Sequence, residues 1–160
     1  MLILLLSLPL AGCTLSQNDM AEQTKKNVQE VFAAKPPEPN QRAGTFRFYL
    51  PDTYKITSQK ATNILLRENS QTYILFINTN ENPNSKVVYN FLKTQYKNQA
   101  LNKTLTDKKR FGFAIADKLK NNRYEITVGI GGVKLTTEAD SSKIPDSAKK
   151  MMQIAASLKE

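Results

Sequence analysis

Residues Arg110–Leu135 read RFGFAIADKLKNNRYEITVGIGGVKL, two alternating apolar runs on either side of Asn121-Asn122. Asparagine tolerates the left-handed backbone region better than most residues, so this pair suits a tight hairpin turn. With Asn121-Asn122 as a two-residue loop, Lys120 pairs with Arg123, Leu119 with Tyr124 and Lys118 with Glu125. Treating Lys120 to Arg123 as a four-residue loop leaves the same register further down. That register gathers Phe111, Phe113, Ile115, Leu119, Tyr124, Ile126, Val128 and Ile130 on one face. Gly112, Ala114, Ala116, Lys118, Glu125, Thr127, Gly129 and Gly131 line the other. One side is bulky and apolar, and the small side admits close approach of a helix or ligand. Asp117 falls beside Ile126 on the apolar face, near the tip, where hydration or a salt bridge competes with a functional acid as its role. Glu125 opposite Lys118 reads as a cross-strand ion pair.

Working outward, Thr136 to Lys143 reads as a loop before a final helix. Pro145 suits a first helical position and Asp146 the positive end of the helix dipole. Ala148, Met151, Met152, Ala155 and Leu158 supply the apolar stripe. Upstream, Ser85 precedes Val88, Phe91, Leu92 and Tyr96 at helical spacing and is placed to cap that helix. Asn63 to Arg67 and Thr72 to Asn78 form a hairpin about Glu68-Asn69-Ser70-Gln71. Thr45 to Leu50 is an aromatic-rich strand, and Pro51-Asp52 turns the chain before Tyr54-Lys55-Ile56. Pro36, Pro37 and Pro39 stiffen an extended connector. Before it, Asp19 with Glu22 three residues on suits a helix start. Met20, Val28, Val31 and Phe32 give that stretch a thin apolar face, so it is either a short helix that docks weakly or a mobile spacer. Strands, helix, strands, helix is the order of an α+β domain, an antiparallel sheet with helices packed on it.

The N-terminus carries a separate signal. Leu2 to Leu10 is apolar apart from Ser7 and Pro9, and no charge appears before Asp19. Crossing a bilayer takes roughly 20 apolar residues, so the run has the length of a signal-peptide core and not of a transmembrane helix. Leu10-Ala11-Gly12-Cys13 follows directly, small residues before a cleavage point and a thiol after it. The tetrapeptide resembles the lipobox of bacterial lipoproteins. The resemblance implies diacylglyceryl transfer to Cys13, with Leu10, Ala11 and Gly12 recognised by the signal peptidase. No Lys or Arg precedes the apolar run, a departure that a start codon assigned too far downstream explains. The chain then divides into a signal peptide (1–12), a lipidated N-terminus and tether (13–43) and a folded domain (44–160), located at the cell membrane on its extracytoplasmic side.

Composition narrows the chemistry. Cys13 is the only cysteine, so the mature protein has no internal disulfide. Histidine is absent, which removes Ser-His-Asp and Cys-His catalysis and the commonest metal ligand. Gly129-Ile130-Gly131-Gly132 lacks the Walker spacing and reads as a strand bulge or close helix packing. No metal or cofactor site is expected, and Asp117, Gly129 and Gly131 remain as the candidate ligand or partner face. The net charge of +9 favours anionic partners, lipid headgroups or envelope polymers, while export argues against nucleic acid. Lys and Arg are otherwise scattered, with short groups at Lys108-Lys109-Arg110 and Lys149-Lys150.

The strand Thr45-Phe46-Arg47-Phe48-Tyr49-Leu50-Pro51, the Phe111–Leu135 meander and the terminal helix ending Ile154-Ala155-Ala156-Ser157-Leu158 together resemble the PsbP-like fold, particularly its DcrB-type lipoproteins. The resemblance spans about residues 44–160 and rests on element order and the F-x-F-x-L-P opening. It implies a non-enzymatic binding or accessory module for an envelope protein complex. A small-ligand or lipid carrier is the rival expectation, and a hydrolase built on carboxylates alone is the third.

Overall fold

The computed structural model describes residues 14–60 and 62–160; Leu10, Ala11, Gly12 and Cys13, and with them the signal-peptide and lipidation expectations, lie outside the described residues. The meander forms, with a register one residue away from the expected one. Asn121 (φ 56°) and Asn122 (φ 57°) are both left-handed, and the Arg123 N–H donates to the Lys120 carbonyl at 3.2 Å. The Arg123 carbonyl, however, accepts from Leu119 at 2.8 Å, so Leu119 and Lys120 together oppose one residue. From there Lys118 pairs with Tyr124, Asp117 with Glu125 and Phe113 with Gly129. A one-residue slip carries every side chain of the second strand to the opposite face.

The corrected register explains the composition better than the expected one. On one face small Gly112, Ala114 and Ala116 lie beside bulky Ile130, Val128 and Ile126; on the other, bulky Phe113 and Ile115 lie beside Gly129 and Thr127. Each face interleaves large and small, which fills space at interior density. A Cβ on Gly112 would come within 2.7 Å of the Phe32 ring, and one on Gly129 within 2.6 Å of the Phe113 ring. The small side does admit a helix, at Gly112.

These strands are β7 (Phe111–Lys118) and β8 (Arg123–Ile130) of a seven-stranded antiparallel sheet in the order β3-β4-β5-β9-β8-β7-β6. Gly131-Gly132 is neither a bulge nor part of a strand. It is the turn into β9 (Val133–Asp140), with Gly131 at φ +55°. The stretch expected as a loop from Thr136 is therefore mostly strand, with Leu135, Thr137 and Ala139 turned inward; all three pair with β8, and Leu135 and Thr137 also with β5 (Gln71–Ile77). The expected hairpin of β4 (Asn63–Glu68) with β5 is present, and β3 (Lys55–Lys60) forms one edge. The other edge, β6 (Gln99–Thr106), has only Leu101 and Leu105 buried, too sparse a pattern to read as a strand. Its Lys103 and β3's Lys55 and Lys60 suit edges that must not pair with other chains. A small two-stranded ribbon, β1 (Gln41–Ala43) with β2 (Phe46–Phe48), bridges to Lys159.

Helix α1 (Gln17–Ala33) corrects the tether expectation. It is 17 residues long, and Ser16, not Asp19, is the N-cap, its hydroxyl accepting from the Asp19 N–H at 3.1 Å. Met20, Thr24, Val28 and Phe32 recur every four residues as one buried stripe. Thr24 is admitted because its hydroxyl donates to the Met20 carbonyl at 2.6 Å. The stripe joins the same core as α3 (Ile144–Ser157), whose Ile144, Met151, Met152 and Ile154 are fully buried, so the folded unit starts near Leu15 and not at Gly44. The shared face of α1 and α3 covers one side of the sheet. On the other, α2 (Val87–Gln95) buries Val88 and Leu92, with Tyr96 following, over Phe111, Phe113 and Ile115. The result is an α+β fold with helices on both faces. Among the described residues no helix is long and apolar enough to cross a membrane.

Candidate functional site

The second helix covers only half of its side of the sheet. Lys86, not the expected Ser85, is its N-cap and makes no side-chain capping bond, although Ser85 accepts from the Val87 N–H at 3.2 Å; Tyr89 packs its ring 5.4 Å from Phe111 and 5.7 Å from Phe113. This seats the helix above β7 and leaves β5 and β9 uncovered. Odd-numbered Tyr73, Leu75 and Ile77 of β5 point into the core, so Ile74 and Phe76 must point out. Facing them across the opening are Val87 and Phe91, on the flank of α2 that does not meet the sheet. Ile74, Val87 and Phe91 are 46%, 56% and 61% exposed, the large hydrophobic side chains left in solvent among the described residues. All three border one groove of about 510 Å³, shared with Asn63, Phe76, Val88, Lys134 and Thr136.

Lys134 is the one charged residue of that lining. Its ammonium lies 5.7 Å from the Phe76 ring centroid, and no carboxylate pairs with it within 4.0 Å. Burial lowers its pKa, partly offset by Glu125. Beside the groove runs a hydroxyl chain. Tyr96 donates to Glu125 at 2.6 Å, so Thr127, 2.8 Å away, donates to Tyr96, and Thr136, 2.8 Å further, donates to Thr127. Burial, reinforced by Glu125, pushes the Tyr96 phenol well above its ordinary pKa. The chain holds the end of α2 against β8 and β9 and fixes the groove wall.

The residues picked out by sequence do not form one surface. Asp117 lies across from Glu125, not beside Ile126, and accepts from the Asn98 N–H at 2.6 Å. Glu125 is taken by Tyr96, so the expected ion pair with Lys118 is replaced by this hydrogen bond. Gly129 is filled by the Phe113 ring, and Gly131, at the far end of β8, is covered by Asn82 and Pro83. Asp117 and Glu125 are neighbours that the expected register keeps apart, and Glu138, next in the row, bridges Arg123 at 3.6 Å. No cluster of His, Cys, Asp and Glu suited to a metal occurs among the described residues. Tyr54 belongs to the core, its ring 4.8 Å from that of Tyr73.

The basic groups split by environment. Arg110 turns inward to Asp107 at 2.7 Å and the Phe32 carbonyl at 2.8 Å, with its guanidinium over the Phe32 ring. Lys108 and Lys109 edge a second, larger cleft of about 670 Å³, floored by Ile77, Ile130, Val133 and Leu158. Lys150 bridges Glu68 at 2.9 Å and Asp146 at 2.7 Å beneath the sheet.

The groove escaped the sequence reading because Phe91 shares helical spacing with Val88 and Leu92, which are buried. The available signal was β5 itself, TYILFI, which is apolar on both faces where one buried face needs only alternation. No protein-family model matches the chain, and no curated protein matches it.

Proposed function

We propose that this chain is a lipid-anchored, non-catalytic accessory protein of the bacterial envelope, which holds a partner protein in the groove between α2 and strands β5 and β9. The observation that carries the reading is the convergence of Ile74, Val87 and Phe91 around the half-buried Lys134. A chain that folds alone gains by burying such side chains, and a contiguous exposed apolar patch marks an interaction site. Lys134 specifies the occupant: a protein segment presenting two or three apolar side chains and one carboxylate. The carboxylate would relieve the cost of a partly desolvated, unpaired ammonium. The apolar Leu2–Leu10 leader ending in Leu10-Ala11-Gly12-Cys13 supports export and lipidation of Cys13. The likeness of the element order to PsbP-like lipoproteins adds to the accessory reading.

Cross-linking in intact cells followed by mass spectrometry tests it, comparing the native chain with Cys13→Ala and Lys134→Glu. One protein captured reproducibly, and lost or diminished in both variants, is the expected result. A second reading, an envelope carrier of a lipid or other small apolar ligand, is favoured by the 670 Å³ cleft and its apolar floor. Retention of such a ligand with no protein partner would put that reading first.

A further inference from the structure

We infer that the end of the domain bearing Lys118, Lys120 and Lys143 is a docking surface for anionic lipid headgroups, so that the domain stands on the bilayer in one orientation. The inference rests on lipidation of Cys13 and adds to it a consequence of where the fold begins. Leu15 is already part of the structure: it packs against the core, and the buried Ser141 hydroxyl donates to its carbonyl at 2.8 Å. Asn122, at the tip of the β7–β8 turn, donates to Ser141 at 3.1 Å. The start of α1, the β9–α3 turn and the β7–β8 turn are therefore tied at one point. A trans chain covers at most ~3.6 Å per residue, so the two-residue length of chain from Leu15 back to a lipidated Cys13 would reach about 7 Å at most. Only Thr14 stands between the acyl-bearing residue and the folded domain. No spacer exists to lift the domain from the surface, and this end lies within about one Debye length of the headgroups at physiological ionic strength.

The side chains there suit that neighbour. Gln17 borders a shallow recess with Asn98, Lys118, Leu119 and Lys120, so these lysines flank the first turn of α1. Lys143 belongs to the turn that holds Leu15, and Lys97 precedes Asn98, whose carbonyl accepts from the Lys118 N–H. All four lysines are exposed, and none pairs with a carboxylate. Of the carboxylates nearby, Asp19 accepts from Ser16, Asp117 from the Asn98 N–H, and Glu138 pairs with Arg123; Asp140 alone is exposed and without such a partner. Each lysine near an anionic surface favours contact about fivefold. Eight residues of β8 separate this end from the Gly131-Gly132 turn, a rise of about 26 Å. The Lys108–Lys109 cleft therefore faces away from the membrane, and the Phe91 groove opens to the side, where a neighbouring protein can reach it.

The test uses the lipidated protein in vesicles of phosphatidylcholine with about a third phosphatidylglycerol. One fluorophore is placed at Ser142→Cys on the anchored end or at Asn80→Cys on the far end. Both positions are exposed, and acylation consumes the Cys13 thiol, so the introduced cysteine takes the label alone. A headgroup-borne quencher should act several-fold more strongly at position 142 than at 80. Charge reversal of Lys118, Lys120 and Lys143 together should bring the two values toward each other. Equal quenching at both ends, with mass spectrometry showing lipid on Cys13, would overturn the docking surface while leaving the anchor. Absence of lipid on Cys13 would overturn the anchor and the inference with it.

Discussion

Glu68 and Lys150 show how a charge is kept under the sheet. Glu68 accepts from Lys150 at 2.9 Å, Thr53 at 2.6 Å and Tyr73 at 3.3 Å; burial opposes its ionisation, yet these partners hold its pKa below the usual value. Lys150 is likewise desolvated, and Asp146 and Glu68 raise its pKa above the ordinary one. A depressed carboxylate stabilises the fold at pH above its unfolded value, about 4.3, and that contribution is lost as pH falls through the folded value. Glu68→Gln should therefore cost roughly 2 kcal/mol at pH 7, the scale of a hydrogen bond to a charged group, in urea unfolding. The difference from the native chain should shrink as acid protonates Glu68; a gap that stays constant down to pH 2 would contradict this. The corrected register has its own single-residue probe. Gly129→Ala puts a methyl group into the Phe113 ring and the Val133 carbonyl, so it should destabilise by about 1–3 kcal/mol in thermal or urea unfolding. Were position 129 on an open small face, as the expected pairing has it, the cost would be near that of any exposed strand position.

Among the elements, α1 departs furthest from its reading, and the reason is its spacing. Met20, Thr24, Val28 and Phe32, with Ala21 beside Met20, make a narrow stripe with a threonine in it, which by composition resembles a solvated helix. Its docking is decided by what waits opposite: Gly112, which leaves room for the Phe32 ring, and Arg110, which lies over that ring. Phe32→Ala should cost about 3–5 kcal/mol in urea unfolding, as for a buried aromatic. A change under 0.5 kcal/mol would return the segment to the role of a tether. The β4–β5 hairpin and α3 were legible because their cues are local: alternation closed by Asn69-Ser70, and Pro145 before a broad apolar stripe. Strands β6 and β9 were not, because their alternating partners are Asn, Lys, Thr and Glu, and only pairing to neighbours identifies them. The β7–β8 register was not legible either, since the choice of Leu119 over Lys120 as hydrogen-bond donor turns on how Phe113 fits Gly129.

At the scale of the whole molecule, α1 and α3 cover their side of the sheet except at the Lys108–Lys109 cleft by the end of α3, whereas the opposite side is half open beside α2, and this asymmetry gives the protein a surface to use. Sequence patterns report which side chains leave water within one element. They do not report that α2 stops short of β5 and β9, so the groove emerges only from the assembled sheet. Phe91→Glu should leave stability within about 0.5 kcal/mol, since Phe91 is 61% exposed, while abolishing partner capture. Thermal unfolding of the variant beside the native chain checks the first half of that statement. The most direct test of the whole account is photo-cross-linking in intact cells from position 91 in the groove and, separately, from position 109 at the rim of the distal cleft. One protein captured from position 91, and absent when Lys134→Glu is introduced or Cys13 is replaced by alanine, is the expected result. No protein from position 91, with a lipid captured from position 109, would contradict it and identify the chain as a carrier.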